Sequence, residues 1–224
     1  MSPSTTLPSL PPITSLQTLP PSTQTATLDL LFEPSADLHA LALPTVQRGG
    51  YTSYGELIDA LRGRLIVFAG DAMGSEGREG EDGEKERREK KEVLFRVLGS
   101  HPRLGEKDKQ KKEAAADNSE THEMSALSKA EQARLRSGDD GDDWAEELRS
   151  LNAQYEARYP GLRYVVWVNG RGREEIVKEM RERIGSGGSL EGEVRGVVEA
   201  MCDIAADRAR KLQKAADEVE KSES

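Results

Sequence analysis

Apolar residues recur at helical spacing along the last part of the chain, and this pattern limits the possible folds more than any other. The stripe consists of Val194, Val197, Val198, Met201, Ile204, Ala205 and Leu212. It predicts a long helix, from about residue 192 to beyond residue 212, that buries one face in a core. Residues 164–168 form a short apolar run that suggests a strand, but one strand alone cannot form a sheet. We therefore predict an all-α fold.

Shorter helical patterns precede this last helix, and proline and glycine residues separate them. One of them has Ser53 placed to cap its start together with Glu56, three residues later. Another carries Leu148, Leu151 and Tyr155 on one face. The predicted helices cover residues 29–33, 36–41, 52–61, 93–98, 127–135, 142–159 and 174–184.

Three segments lack the apolar residues that a core requires. Residues 1–28 carry six of the ten prolines and no charged side chain, which predicts a disordered tail. Residues 74–91 have 13 charged side chains, and residues 106–125 are similarly polar, so we predict two exposed, disordered loop insertions. The prediction is one helical domain over residues 29–215, followed by a polar tail at 216–224.

Charge and composition exclude several classes of function. A net charge of -9 disfavours binding to nucleic acid, because like charges repel. Cys202, the only cysteine, excludes an internal disulfide and a cysteine-rich metal site. Three scattered histidines, without a metal-binding spacing, argue against a protein-bound catalytic metal. The apolar runs are too short to span a bilayer and no secretory signal precedes them, so we expect a soluble, intracellular protein without a membrane partner.

His101 follows the predicted helix 93–98 and precedes Pro102. Proline restricts the backbone of the preceding residue, so the imidazole leaves the helix end in a defined direction. The ordinary pKa of histidine suits proton transfer near neutral pH, which makes His101 a candidate acid–base residue. The alternative is that its side chain caps the carbonyl groups at the helix end.

Ser128 and Glu131 have the spacing of a capping box, with Ser128 as the N-cap residue and Glu131 as the third helical residue. Capping explains both residues without any other function. The start of a helix also offers free amide groups to anionic ligands, so Glu131 is at the same time a candidate site residue.

Arg208 falls within the apolar stripe of the last helix, four residues after Ile204 and four before Leu212. A guanidinium group that faces a core needs a carboxylate or an anionic ligand, because its unpaired burial is unfavourable by several kcal/mol, roughly. The alternative is that the long side chain reaches past the core to solvent.

The segments Leu-Gly-Ser-His-Pro-Arg-Leu-Gly at 98–105 and Leu-Ser-Lys-Ala-Glu-Gln at 127–132 resemble the 2-oxo-4-hydroxy-4-carboxy-5-ureidoimidazoline (OHCU) decarboxylase family. The resemblance continues through Leu-Asn-Ala-Gln-Tyr at 151–155 and the apolar run with Gly-Arg at 164–171. Residues 31–35, Leu-Phe-Glu-Pro-Ser, are similar to the N-terminal helix junction of the family. Together these motifs cover about residues 28–212.

The resemblance implies an all-α fold, usually as a homodimer, that decarboxylates OHCU to (S)-allantoin in urate degradation without a cofactor. It implies that His101 and Glu131 are catalytic. The residues that it implies in substrate binding are Pro102, Ser128, Gln132, Val166 and Arg208.

Two further expectations concern compartment and function. A cytoplasmic or peroxisomal location is expected, although the C-terminal Ser-Glu-Ser is not the Ser-Lys-Leu peroxisomal signal. The competing interpretation is a non-catalytic helical protein whose last helix docks a partner.

Overall fold

The computed structural model describes residues 9–74, 80–105, 127–129, 131 and 141–223. Their helices are α1 (Ile13–Leu16), α2 (Pro21–Leu31), α3 (Ala36–Arg48), α4 (Tyr54–Met73), α5 (Glu81–Leu98), α6 (Gly141–Arg158), α7 (Arg173–Gly185) and α8 (Leu190–Glu223). Residues 127–129 and 131 are also helical. The described residues contain no strand, so the all-α prediction is confirmed. The strand suggested at 164–168 is wrong, because this run has no neighbouring strand and is irregular.

Helix α8 is the centre of the fold. Its predicted apolar stripe is buried, and the helix packs most extensively against α4. Helix α4 also packs on α5 and α3, while α2 packs on α3 and α8. The predicted face of α6 is buried as well: Leu148, Leu151 and Tyr155 are each less than 5% exposed. The helix periods in the sequence therefore identify the faces that form the core.

The predicted disorder of the N-terminal segment is wrong for residues 9–28. Helix α2 begins at Pro21, where a proline loses no hydrogen bond because the first amide groups of a helix have no intrahelical acceptor. Leu16 and Leu28 are buried. The Gln24 amide donates to the carbonyl oxygens of Leu16 at 3.1 Å and Gln17 at 3.0 Å. A few leucines and one buried amide are thus enough to attach this uncharged segment to the core.

Two polar segments predicted to lie outside the folded core also contain helical residues. Helix α5 already starts at Glu81, inside the predicted insertion 74–91, because Glu, Lys and Arg favour helices and acidic residues occupy its first turn. Lys90 lies 3.1 Å from Glu86, one turn earlier, and 3.7 Å from Asp71 of α4. Likewise, α8 continues to Glu223 through the predicted tail 216–224. Residues 1–8, 75–79 and the predicted insertion 106–125 lie outside the described residues.

Candidate active site

Arg208 is the best-connected buried side chain of the described residues, with 1% of its surface exposed. Its Nη2 atom donates to Glu33 Oε1 at 2.9 Å, to Ser128 Oγ at 2.7 Å and to Glu131 Oε2 at 2.9 Å. Nε donates to Glu131 Oε1 at 3.1 Å, and Nη1 donates to the carbonyl oxygen of Phe32. The alternative in which Arg208 reaches solvent is therefore wrong. The guanidinium instead joins three distant parts of the chain.

The charge of Arg208 is stabilised by its carboxylate partners. Burial alone lowers the pKa of the guanidinium, but hydrogen bonding and charge from Glu131 and Glu33 outweigh this effect and hold the pKa above its ordinary value. The two carboxylates differ in environment, because the Glu33 side chain is 2% exposed and the Glu131 side chain is 33% exposed. Arg208 is thus a permanent cation between one enclosed and one accessible carboxylate.

The capping-box interpretation of Ser128 and Glu131 is wrong, because Ser128 does not occupy the N-cap position. Leu127 and Ser128 are both helical, so Ser128 lies inside the helix and not before it. Its hydroxyl donates to Glu33 Oε1 and accepts from Arg208. The Glu131 carboxylate faces the same guanidinium. Both side chains therefore serve the Arg208 cluster.

His101 is held at the end of α5 by contacts of the surrounding backbone. Arg163 Nη1 donates to the carbonyl oxygens of Gly99 at 2.6 Å and His101 at 3.3 Å. The Val97 carbonyl at the helix end accepts from the Ser100 hydroxyl at 2.8 Å, so Ser100 takes the capping role considered for His101. The imidazole is 4% exposed, and its Nε2 atom has no hydrogen-bond partner among the described residues.

The expectation that His101 titrates near neutral pH is wrong. Burial, and secondly the charge of Arg208, lower its pKa from 6.5 to about 3. The imidazole is therefore neutral at pH 7. In this form it can accept a proton or a hydrogen bond but carries no proton to release as an imidazolium ion.

Glu131, the accessible member of the Arg208 cluster, lines a cavity of about 440 Å³, whereas Arg208, Ser128 and His101 lie behind its lining. Its lining includes Glu131, Val166, Trp167, Ile204 and Lys211. The volume lies within the range of small-molecule sites. Glu131 and Val166, which the sequence analysis places in one pocket, thus line the same cavity.

The backbone beside Val166 is fixed by Arg171. Its Nε atom donates to the carbonyl oxygen of Val168 at 3.3 Å, and Nη2 donates to that of Trp167. The guanidinium also pairs with Glu179 of α7. Asn169 and Gly170, with φ of 43° and 74°, make the turn between these groups in the left-handed region that both residues tolerate. The cavity wall is therefore rigid although it is irregular.

The sequence-predicted residues are brought together to different degrees. Arg208, Glu131 and Ser128 are in direct contact, and Val166 shares the cavity with Glu131. His101 is close enough for Arg208 to lower its pKa, and Pro102 is half-buried beside it. Gln132 lies outside the described residues.

Glu33 is the site residue that sequence reasoning misses. The burial of Arg208 requires a carboxylate partner, but the chain has 41 acidic residues and periodicity does not single one out. Glu33 does lie in the motif at 31–35 that carries part of the family resemblance, but that motif alone gives it no role.

The neutral, buried His101 predicts a specific dependence of stability on pH. Between pH 6.5, the ordinary pKa, and pH 3, the unfolded chain binds more protons at this residue than the folded chain. Acid therefore favours unfolding, and stability falls by up to about 1.4 kcal/mol per pH unit as the pH drops through this window. Urea unfolding from pH 4 to 7 is expected to show a shallower loss for His101→Asn than for the wild type. Equal slopes would contradict neutral burial of His101.

The described helices include none that is long and apolar enough to cross a membrane. The described residues likewise contain no group of three His, Cys, Asp or Glu side chains arranged to hold a metal ion. Fold and site together define an all-helical domain in which a buried arginine–carboxylate cluster opens onto a cavity of small-molecule size.

The family model of OHCU decarboxylase matches residues 17–210, and the chain therefore belongs to the OHCU decarboxylase family. At the level of the family this is a decarboxylase, or carboxy-lyase, of urate degradation. Comparison with curated proteins gave no match.

Proposed function

We propose that the protein decarboxylates OHCU to (S)-allantoin without a cofactor. The observation that carries this proposal is the contact of Arg208 with Glu131 at the cavity, beside a neutral histidine. OHCU is an anion, and a buried guanidinium with one accessible carboxylate partner is suited to receive it. The coupling of this site to a cavity also favours an enzyme over a docking protein.

In the proposed reaction the bond between the ring and the carboxylate breaks, carbon dioxide leaves, and the ring takes up the electron pair. Arg208 stabilises the charge as it moves. His101 accepts the proton of the substrate hydroxyl at Nε2, because the negative charge of bound substrate stabilises the imidazolium ion against both burial and the charge of Arg208. Protonation of the carbanion on one face, by His101 or Glu131, gives a single enantiomer.

The remaining residues position the substrate in this proposal. Ser128, which contacts the Arg208 guanidinium, binds the substrate, and Gln132 is assigned the same role by the resemblance. The backbone at Val166 forms one wall of the cavity, and Pro102 fixes the direction of His101. We also propose that the protein is a homodimer, for which light scattering is the direct measurement.

The alternative of a docking protein rests on an exposed apolar face of the last helix. In the structure this face is the buried stripe of α8, which packs against α4 inside the same chain. It is therefore not available to a partner, and no other observation favours this alternative.

The proposed function is tested by generating OHCU enzymatically and following the circular dichroism of allantoin. The protein is expected to accelerate its formation above the spontaneous rate and to yield the S enantiomer. The same rate is expected with a chelator present, because no metal enters the mechanism. A product formed at the spontaneous rate would contradict the proposal, as would an excess of neither enantiomer.

A further inference from the structure

Glu33 is a fully enclosed carboxylate inside the candidate site. It follows the end of α2 at Phe32, and its side chain is 2% exposed. Its Oε1 atom accepts from Arg208 Nη2 at 2.9 Å and from the Ser128 hydroxyl. The site therefore contains a carboxylate that contacts two of its members and does not line the cavity beside Glu131.

Glu33 and Glu131 hold the same guanidinium from different positions. Glu131 lines the cavity, so an anion that enters can compete with it for Arg208. Glu33 is enclosed, so we expect its contact with Arg208 to persist when an anion displaces Glu131. Nη1 is held in addition by the carbonyl oxygen of Phe32. The guanidinium is thus anchored on its inner side and exchangeable on its outer side.

The inner carboxylate also affects how strongly Arg208 binds an anion. A free guanidinium would follow the substrate carboxylate and pair with it fully, which stabilises the bound substrate and not the transition state. Decarboxylation removes negative charge from that carboxylate, so a tight ion pair in the bound substrate opposes the reaction. A second, enclosed carboxylate limits this pairing because its charge partly offsets that of Arg208.

We propose that Glu33 is a positioning residue that fixes Arg208 and limits how tightly the guanidinium binds the substrate carboxylate. This role rests on the proposed function. In this role Glu33 does not contact the substrate. Glu33 anchors Arg208, whereas Glu131 faces the cavity that receives the substrate.

The test is Glu33→Gln, which keeps the shape of the side chain and an oxygen acceptor but removes the charge. Arg208 is then held less firmly on its inner side and can shift toward the substrate, so kcat is expected to fall about tenfold or more. KM is expected to fall as well, by about threefold, because the bound anion is held more tightly. A merely structural role would lower the active fraction and leave KM unchanged.

Glu199→Gln is the matched control, because it removes a carboxylate of α8 from another arginine, Arg62 of α4, that is apart from the Arg208 cluster. Its kcat and KM are expected to stay within about twofold of the wild type. If Glu33→Gln does not fold, Glu33→Asp decides. The shorter side chain keeps the charge but withdraws from Nη2, so kcat and KM should both fall below their wild-type values.

The outcomes separate this role from the proposed function. A wild type that forms no (S)-allantoin above the spontaneous rate overturns both. An active wild type with an unchanged or raised KM in a folded Glu33→Gln variant overturns the role of Glu33 alone. If Glu33→Gln does not fold, wild-type values of kcat and KM in Glu33→Asp also overturn the role of Glu33 alone.

Discussion

Replacing His101 by asparagine is expected to lower the rate of OHCU decarboxylation about 100-fold or more, which is the lower end of what a positioned acid–base group contributes. Asparagine is polar and of similar bulk, and it can still form a hydrogen bond, but it cannot take up and return a proton. The melting temperature at pH 7 is expected to change little, because the buried imidazole is already neutral and its Nε2 atom has no hydrogen-bond partner among the described residues.

The measurement is the rate of (S)-allantoin formation by circular dichroism, with the variant beside the wild type. His39→Asn is the matched control, because His39 pairs with Asp29 at 2.6 Å, apart from the Arg208 cluster. That variant should retain the wild-type rate. Equal rates for His101→Asn and the wild type would remove His101 from the mechanism.

Replacing Arg208 by methionine is expected to lower the free energy of unfolding by about 3–5 kcal/mol. Methionine fills much of the volume within the apolar stripe, so packing is largely preserved. The loss arises because Glu33 remains buried without its cationic partner. Urea or thermal unfolding measures the effect, and decarboxylation should be lost in the same variant because the guanidinium that stabilises the reacting charge is gone.

A second substitution separates the charge effect from packing. The double variant Arg208→Met with Glu33→Gln removes the stranded carboxylate, so it should recover a large part of the lost stability. Arg62→Met is the control, because Arg62 pairs with Glu199 and Asp203, which are 40% and 43% exposed, and its loss should cost about 1 kcal/mol or less. No recovery in the double variant would mean that the loss at Arg208 comes from packing.

The fold could be predicted from sequence where a long periodic pattern meets a core. The α8 stripe and the inner face of α6 are such patterns, and both are buried as predicted. The N-terminal helices could not be predicted, because their ordering depends on tertiary contacts such as the Tyr54 hydroxyl donating to the carbonyl oxygen of Pro11 at 2.7 Å. The charged start of α5 is similar, since it is a helix stabilised by its own ion pairs and not by burial.

The candidate site could likewise be predicted only in part from the sequence. Arg208 could be found because a charge inside an apolar stripe violates the local pattern, and such violations mark functional positions. Its partner Glu33 could not be found, because pairing across 175 residues is a property of the folded chain. The neutral state of His101 also needed the structure, since its low pKa comes from burial and from the charge of Arg208.

The contacts of the Arg208 cluster also determine when the site can form during protein synthesis. Arg208 contacts Glu33 from 175 positions later in the chain and Ser128 from 80 positions later. At the usual rate of protein synthesis, Glu33 waits about 10 to 35 s for its partner. An unfinished chain can form its early helices but must leave this carboxylate in water. Assembly of the site is therefore a late event in biosynthesis, so nascent chains should be inactive until α8 has emerged and docked.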